Sequence, residues 1–265
     1  MPLITGGGGV SSNRPAGVPR LVTGPLTNGV PYFEDFHAFS LGTSGHPSWL
    51  NTAIAGSGTV GASSSGTSAG QLQIITGATS GDGHIVTAAG RTTTAGASLS
   101  VTATTQPWVA QFRFSGGPVI TNVNWGVALI GANIDATTDW ITDPDASLSG
   151  VTTTTNSIAI TRHAASYSGD TAGNLIARFY ETTAVDDATL DLGTVAVSTP
   201  IKVEIHWDLT SLRFYRDGAL VGSIAAPSVT TWSLKPSIAQ RVTGAAARTF
   251  SVDSYYQEVS LTSAR

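Results

Sequence analysis

The stretch Ile201–Ser223, IKVEIHWDLTSLRFYRDGALVGS, decides the fold class. Ile201, Val203, Ile205 and Trp207 alternate with Lys202, Glu204 and His206. A period of two is the signature of a strand with one apolar and one polar face. Asp208 to Ser211 carry the residue types of a turn, after which Leu212 and Phe214 resume the apolar face. Asp217-Gly218 turns the chain again before Ala219–Ile224, because glycine accepts the positive φ that a tight hairpin needs. The segment thus predicts two strands and the start of a third, joined by short turns.

The same alternation recurs outward from this point. Trp108, Ala110, Phe112 and Phe114 alternate with Val109, Gln111 and Arg113, and Val123, Trp125, Val127 and Leu129 share one face of a second strand. Further candidates are 71–76, 84–88, 98–102, 157–162, 175–181, 194–197, 232–234 or 238–242, and 248–261. No segment predicts a helix of three turns; Asp186–Leu192 predicts a single helical turn at most. The Gly/Ser/Thr run 56–70 predicts a long surface loop or a weak edge strand. About a dozen strands in one domain imply two packed antiparallel sheets, and their irregular spacing argues against a repeat array.

Composition narrows the function classes. The chain has 265 residues, 41% of them hydrophobic, enough for a large core. Charged residues make up only 11%, against an average of about 25%. The exterior is therefore Ser, Thr, Gly, Asn and Ala, a surface that suits lasting contact with other chains and equally an ordinary secreted β protein. A net charge of -4 without a basic cluster speaks against nucleic acid as a partner. No apolar run approaches roughly 18 residues, so no membrane span is expected. Cysteine is absent, which removes disulfides, thiolate catalysis and cysteine zinc sites. The first residues lack a basic stretch followed by an apolar one, so no standard secretory leader is expected.

Residues 1–31 form the first of two expected regions, an extended arm, and 32–265 the second, the β domain. The arm holds Gly6–Gly9 and five prolines, and its apolar residues have no period. Such a segment cannot build its own core; it is either a free tail or an arm docked on a neighbouring subunit. In the docked case Leu3, Ile4, Val10, Arg14, Val18, Arg20, Leu21, Val22 and Leu26 are the candidate contacts.

The segment 207–224, WDLTSLRFYRDGALVGSI, resembles the concanavalin A-like (laminin-G-like) lectin/glucanase superfamily. Phe33–Phe36 (FEDF) resembles its opening strand, and Val252–Leu261 (VDSYYQEVSL) its closing strand. The resemblance implies an all-β, two-sheet antiparallel jelly-roll sandwich over residues 32–262, here with an extended N-terminal arm.

The resemblance also sets expectations for chemistry. The laminarinase-type pattern Glu-x-Asp-x-x-Glu starts at none of the four glutamates, Glu34, Glu181, Glu204 and Glu258. A retaining glycosidase needs two carboxylates about 5–5.5 Å apart. Glu204, His206 and Asp208 are the nearest constellation, and a solvated strand face is the favoured explanation of them. The Gln-x-His motif of the lyase members is missing. Asp135, Asp139, Asp143 and Asp145 crowd one loop without EF-hand spacing, so no metal or cofactor is expected. Trp108, Trp125 and Trp207 read as core. Trp49, Trp140 and Trp232 lie in or near loops and are the better candidates to meet a glycan or another subunit, although a lone loop tryptophan is more often a packed lid.

The resulting expectation is a non-enzymatic virion structural protein, in the style of phage capsid decoration (cement) proteins. Its partners would be a major capsid protein or other virion subunits, and further copies of itself as a homotrimer, on the capsid surface. The alternative is a carbohydrate-binding or host-receptor-binding module, and a glycan-degrading enzyme is the third class.

Overall fold

The computed structural model describes residues 29–34, 36, 48–62, 70–89, 100–102, 106–131, 138–148, 156–181, 188–225, 231–233 and 235–260. Among them are seventeen strands and one short helix. The strands run β1 (Gly29–Glu34), β2 (Ser48–Ala55), β3 (Gly58–Ala62), β4 (Leu72–Thr76), β5 (Gly83–Ala89), β6 (Ser100–Thr102), β7 (Trp108–Gly116) and β8 (Val123–Ile130). After helix α1 (Pro144–Leu148) come β9 (Ser157–Arg162), β10 (Asn174–Tyr180), β11 (Ala188–Thr194), β12 (Ile201–Trp207) and β13 (Ser211–Arg216). The last four are β14 (Ala219–Ala225), β15 (Thr231–Ser233), β16 (Lys235–Val242) and β17 (Thr249–Ser260).

Two antiparallel sheets pack face to face. The first has the order β14-β13-β12-β7-β17-β4-β3, with β1 also paired to β17; the second has the order β11-β10-β9-β8-β16-β5-β2. A two-stranded ribbon, β15-β6, stands apart from both. The fold is thus the expected two-sheet antiparallel sandwich. The opening and closing strands are neighbours, with Gly29 opposite Ser260 and Phe33 opposite Tyr256. Residues 29–31, at the end of the expected arm, lie in that strand pair.

The core between the sheets is built by the alternation visible in the sequence. Ile201, Val203, Ile205 and Trp207 of β12, Trp108, Phe112 and Phe114 of β7, and Leu212 and Phe214 of β13 all point inward. They meet Val123, Trp125, Val127 and Leu129 of β8 and Ile158 and Ile160 of β9 from the second sheet. Trp125 stacks on Phe250 with ring centroids 4.9 Å apart. Burying one such side chain stabilises by roughly 1.5–3 kcal/mol, and truncating one leaves a cavity that a close-packed interior fills poorly.

The turns follow their residues. Asp217 and Gly218 have φ of 51° and 87°, the pair of positive angles of a type I′ hairpin. The Asp217 carboxylate also accepts a hydrogen bond from the Lys202 amide at 2.9 Å, tying this turn to β12. Asp208 closes the preceding turn, accepting from the amides of Thr210 (3.0 Å) and Ser211 (2.9 Å).

Two local features depart from expectation and one follows it. Residues 188–194, part of the segment read as a helical turn, form β11, because pairing with β10 outweighs a weak local propensity. Part of the Gly/Ser/Thr run is β3, on β4, which is the edge strand that one of its two readings predicts. Helix α1 was not foreseen: it is a single turn with Asp143 at its cap and Pro144 in its first turn.

Candidate functional site

The outward face of the first sheet gathers ionisable side chains that the sequence scatters. Glu204 lies opposite Gln111 of β7 on one side and Tyr215 of β13 on the other. His206 lies opposite Val109 and Arg213. Across β7, Gln111 faces Tyr256 and Val109 faces Glu258 of β17. Because register is fixed by the apolar face, these polar residues must share the other face.

The contacts form a chain from the surface inward. Tyr215, half-buried, lies on His206 with ring centroids 4.5 Å apart. His206 Nε2 meets Glu204 Oε2 at 3.2 Å, and Lys202 Nζ meets the other Glu204 oxygen at 2.7 Å. Glu204 is 0% exposed and His206 3%. The expected solvated face is therefore corrected: these groups point away from the core yet are buried. A buried carboxylate is tolerated because both of its oxygens have charged or polar partners. Glu258 accepts from the Tyr256 hydroxyl at 2.5 Å. The side-chain oxygen of Gln111, at the middle of this face, has no hydrogen-bond partner among the described residues.

Asp208 does not join Glu204 and His206. It pairs with Arg213 at 2.6 Å and closes its turn. Burial works to raise its pKa, but the hydrogen bonds from Thr210 and Ser211 and the Arg213 charge outweigh this and hold the carboxyl below its ordinary value.

The outward face of the second sheet is sealed by the chain itself. Trp140, Ile141 and Leu148 pack on Ile85, Ala128, Ile130, Ala159, Tyr180 and Ala239. The Trp140 indole donates to Ser237 Oγ at 2.8 Å, and Ser237 shares a 2.7 Å bond with Thr87. Tyr167 clamps this segment: its hydroxyl donates to Asp143 at 2.6 Å, and its ring stacks on His163 at 4.6 Å. The Arg178 guanidinium lies 4.7 Å from the same ring and pairs with Asp170.

Trp140 and Trp49 are therefore not surface residues. Trp140 is 0% exposed and Trp49 1%, the latter against Phe36, so neither offers a glycan or subunit platform. Trp232 lies in β15 opposite Val101. Asp139 pairs with Arg241 at 3.0 Å, and Asp145 accepts from Tyr180. Among the described residues no group of three or more His, Asp or Glu is arranged to hold a metal. The arm contacts Leu3, Ile4, Val10, Arg14, Val18, Arg20, Leu21, Val22 and Leu26, and also Asp135, lie outside the described residues. The local signal for the Tyr215–His206–Glu204 chain was the polar face of Ile201–Trp207; the contribution of Tyr215 had no signal, since it depends on the pairing of β12 with β13.

Solved structures place the fold. The Emp47p carbohydrate recognition domain matches with a TM-score of 0.53 at 10% identity, over 85% of this chain and 94% of that one. Peanut lectin matches with 0.53 at 12%, over 89% and 99%. A prokaryotic β-1,3-1,4-glucanase (lichenase) from a mouse hindgut metagenome matches with 0.51 at 11%, over 86% and 98%. No protein-family model and no curated protein matches the chain in sequence. The fold is the two-sheet antiparallel jelly-roll sandwich that these lectins and this glucanase also have.

One expectation is corrected by these likenesses. The non-enzymatic reading rested on a missing carboxylate pattern, whereas enzymes that act on glycans share this fold across most of its length. At 11% identity the glucanase likeness shows the fold and assigns no reaction.

Proposed function

We propose that this chain is a carbohydrate-binding domain whose glycan platform is the outward face of the β12–β13 hairpin. The observation that carries this reading is half-buried Tyr215, backed by His206 and edged by the ion pairs Lys202–Glu204 and Arg213–Asp208. A sugar ring has one face rich in C–H groups, which lies well on an aromatic ring, and hydroxyls that both donate and accept. Tyr215 supplies the ring, while Lys202 and Arg213 donate and Asp208 accepts around it. The lectins and glycosidases that share the fold favour this reading over a virion structural role. The sealing of the second sheet by Trp140 directs the choice to the first sheet.

The test is a glycan array followed by titration calorimetry on the best ligand. Saturable binding that is lost in Tyr215→Ala supports the proposal. A blank array with the folded wild-type chain, or binding unchanged in Tyr215→Ala, overturns it.

A further inference from the structure

Four polar side chains stand in one row on the inner face of the second sheet. Arg162 of β9 lies opposite Trp125 of β8, Trp125 opposite Gln240 of β16, and Gln240 opposite His84 of β5. Each alternates with core residues of its own strand: Ile158 and Ile160, Val123 and Val127, Ile238 and Val242, and Val86 and Ala88. The row therefore faces the interior of the sandwich. All four are buried, Trp125 and Gln240 completely.

Every member of the row carries a polar atom with no partner among the described residues. These are Arg162 Nε, Trp125 Nε1, both side-chain atoms of Gln240, and His84 Nε2. The remaining polar atoms are partly accounted for: Arg162 donates to the Val123 carbonyl at 3.1 Å, and His84 Nδ1 meets Asn51 Oδ1 at 3.1 Å. Buried polar groups are nearly always hydrogen-bonded, and several orphans side by side are rare in native interiors. In-register neighbours on adjacent strands have Cβ atoms about 4.5–5.5 Å apart. Here such neighbours make no direct bond to each other, and polar groups separated by more than a hydrogen-bond length are the ones that a bridging water joins.

We propose that this row is an internal hydration site, where ordered water bridges Trp125 Nε1, the Gln240 amide and His84 Nε2 between the two sheets. The chemistry matches the ligand. Trp125 only donates, the Gln240 amide both donates and accepts, and neutral His84 offers one donor or acceptor at Nε2, so water can satisfy each in turn. The row ends at exposed Asn51 on edge strand β2, which gives the site a polar route to solvent.

The test has two readouts. In the wild-type chain, water–protein cross-relaxation in NMR is expected to show long-lived water at the Trp125 indole N–H and the Gln240 side-chain amide. Gln240→Met, which keeps the side-chain length and removes the amide, is expected to abolish those signals at Trp125. It is also expected to lower Tm by about 2–4 °C, the shift of roughly one lost hydrogen bond in a chain of this size. A dry row predicts the reverse: no long-lived water in the wild type and a Gln240→Met chain with raised Tm, because a desolvated amide is gone. Either dry-row result overturns the proposal, and the wild-type measurement decides even if the variant fails to fold.

Discussion

The ring of Tyr215 lies 4.5 Å from that of His206, tilted by 37°, and so joins a half-exposed aromatic on β13 to a buried imidazole on β12. His206 in turn touches the fully buried Glu204, whose second oxygen holds Lys202. A surface ring is thus fixed in place from beneath by a charged network. Such backing limits the side-chain freedom lost when a ligand docks, which favours binding.

Replacement of Tyr215 separates platform from scaffold. Tyr215→Ala is expected to weaken glycan binding by about tenfold or more, the equivalent of roughly 1.4 kcal/mol. The melting temperature is expected to change little, since the residue is half-buried at the surface. Tyr215→Phe keeps the stack on His206 and is expected to retain most of the affinity. Calorimetry on the three chains measures both effects.

Glu204 is expected to matter for stability. Glu204→Ala leaves Lys202 and His206 without their shared carboxylate, and breaking a buried charge pair costs about 3–5 kcal/mol. Urea unfolding should show a lower midpoint with an unchanged slope. Glu204→Gln, which keeps an acceptor for Lys202, should lose clearly less. Equal losses in the two variants would show that the charge, and not the hydrogen bonding, holds this face together.

Trp140 tests the seal on the second sheet. Trp140→Ala removes a fully buried side chain and its bond to Ser237, at an expected cost of about 3–5 kcal/mol. Exposure of Ile130, Ala128 and Ile85 beneath it should raise the binding of a hydrophobic dye. Glycan binding by the folded fraction should persist, since the proposed platform is on the other sheet.

His163 predicts a loss of stability in mild acid. Burial, reinforced by the nearby Arg178 and Arg162 charges and opposed by Asp143, lowers its pKa from 6.5 to about 4. Between these values the unfolded chain binds more protons, so stability is full above 6.5 and falls as pH drops towards 4. The fall from this residue is about 3 kcal/mol. His84, also lowered by burial, acts in the same direction. Asp143, whose pKa is held down chiefly by the Tyr167 hydroxyl, loses its contribution only below about 3.8, outside this window. His163→Phe should flatten the stability curve between pH 6.5 and 4, measured by denaturant unfolding at a series of pH values.

Much of this architecture is legible along the chain. The inward set Ile201, Val203, Ile205 and Trp207 and the Asp217-Gly218 hairpin are local signals, decided by neighbours two to four residues apart. Helix and strand choice at 188–194 was not legible, because β11 exists through its pairing with β10. Trp140 and Trp49 depart from a loop reading for different reasons. Loop-like composition does not say whether a segment folds back over a sheet, as that of Trp140 does. Trp49 lies in β2, a strand that exists through its pairing with β5 and that turns the indole into the core.

The sequence by itself determined most of the strands, their apolar faces and the two-sheet class, since period-two alternation permits only one face to be buried against a partner sheet. It also placed Lys202, Glu204 and His206 on a common face. Only the tertiary structure decided that Tyr215 stacks on His206, that Glu204 is buried, and that Arg162, Trp125, Gln240 and His84 line up inside. The physical reason is that strand register and burial depend on contacts between residues far apart in the chain, which local pattern does not encode.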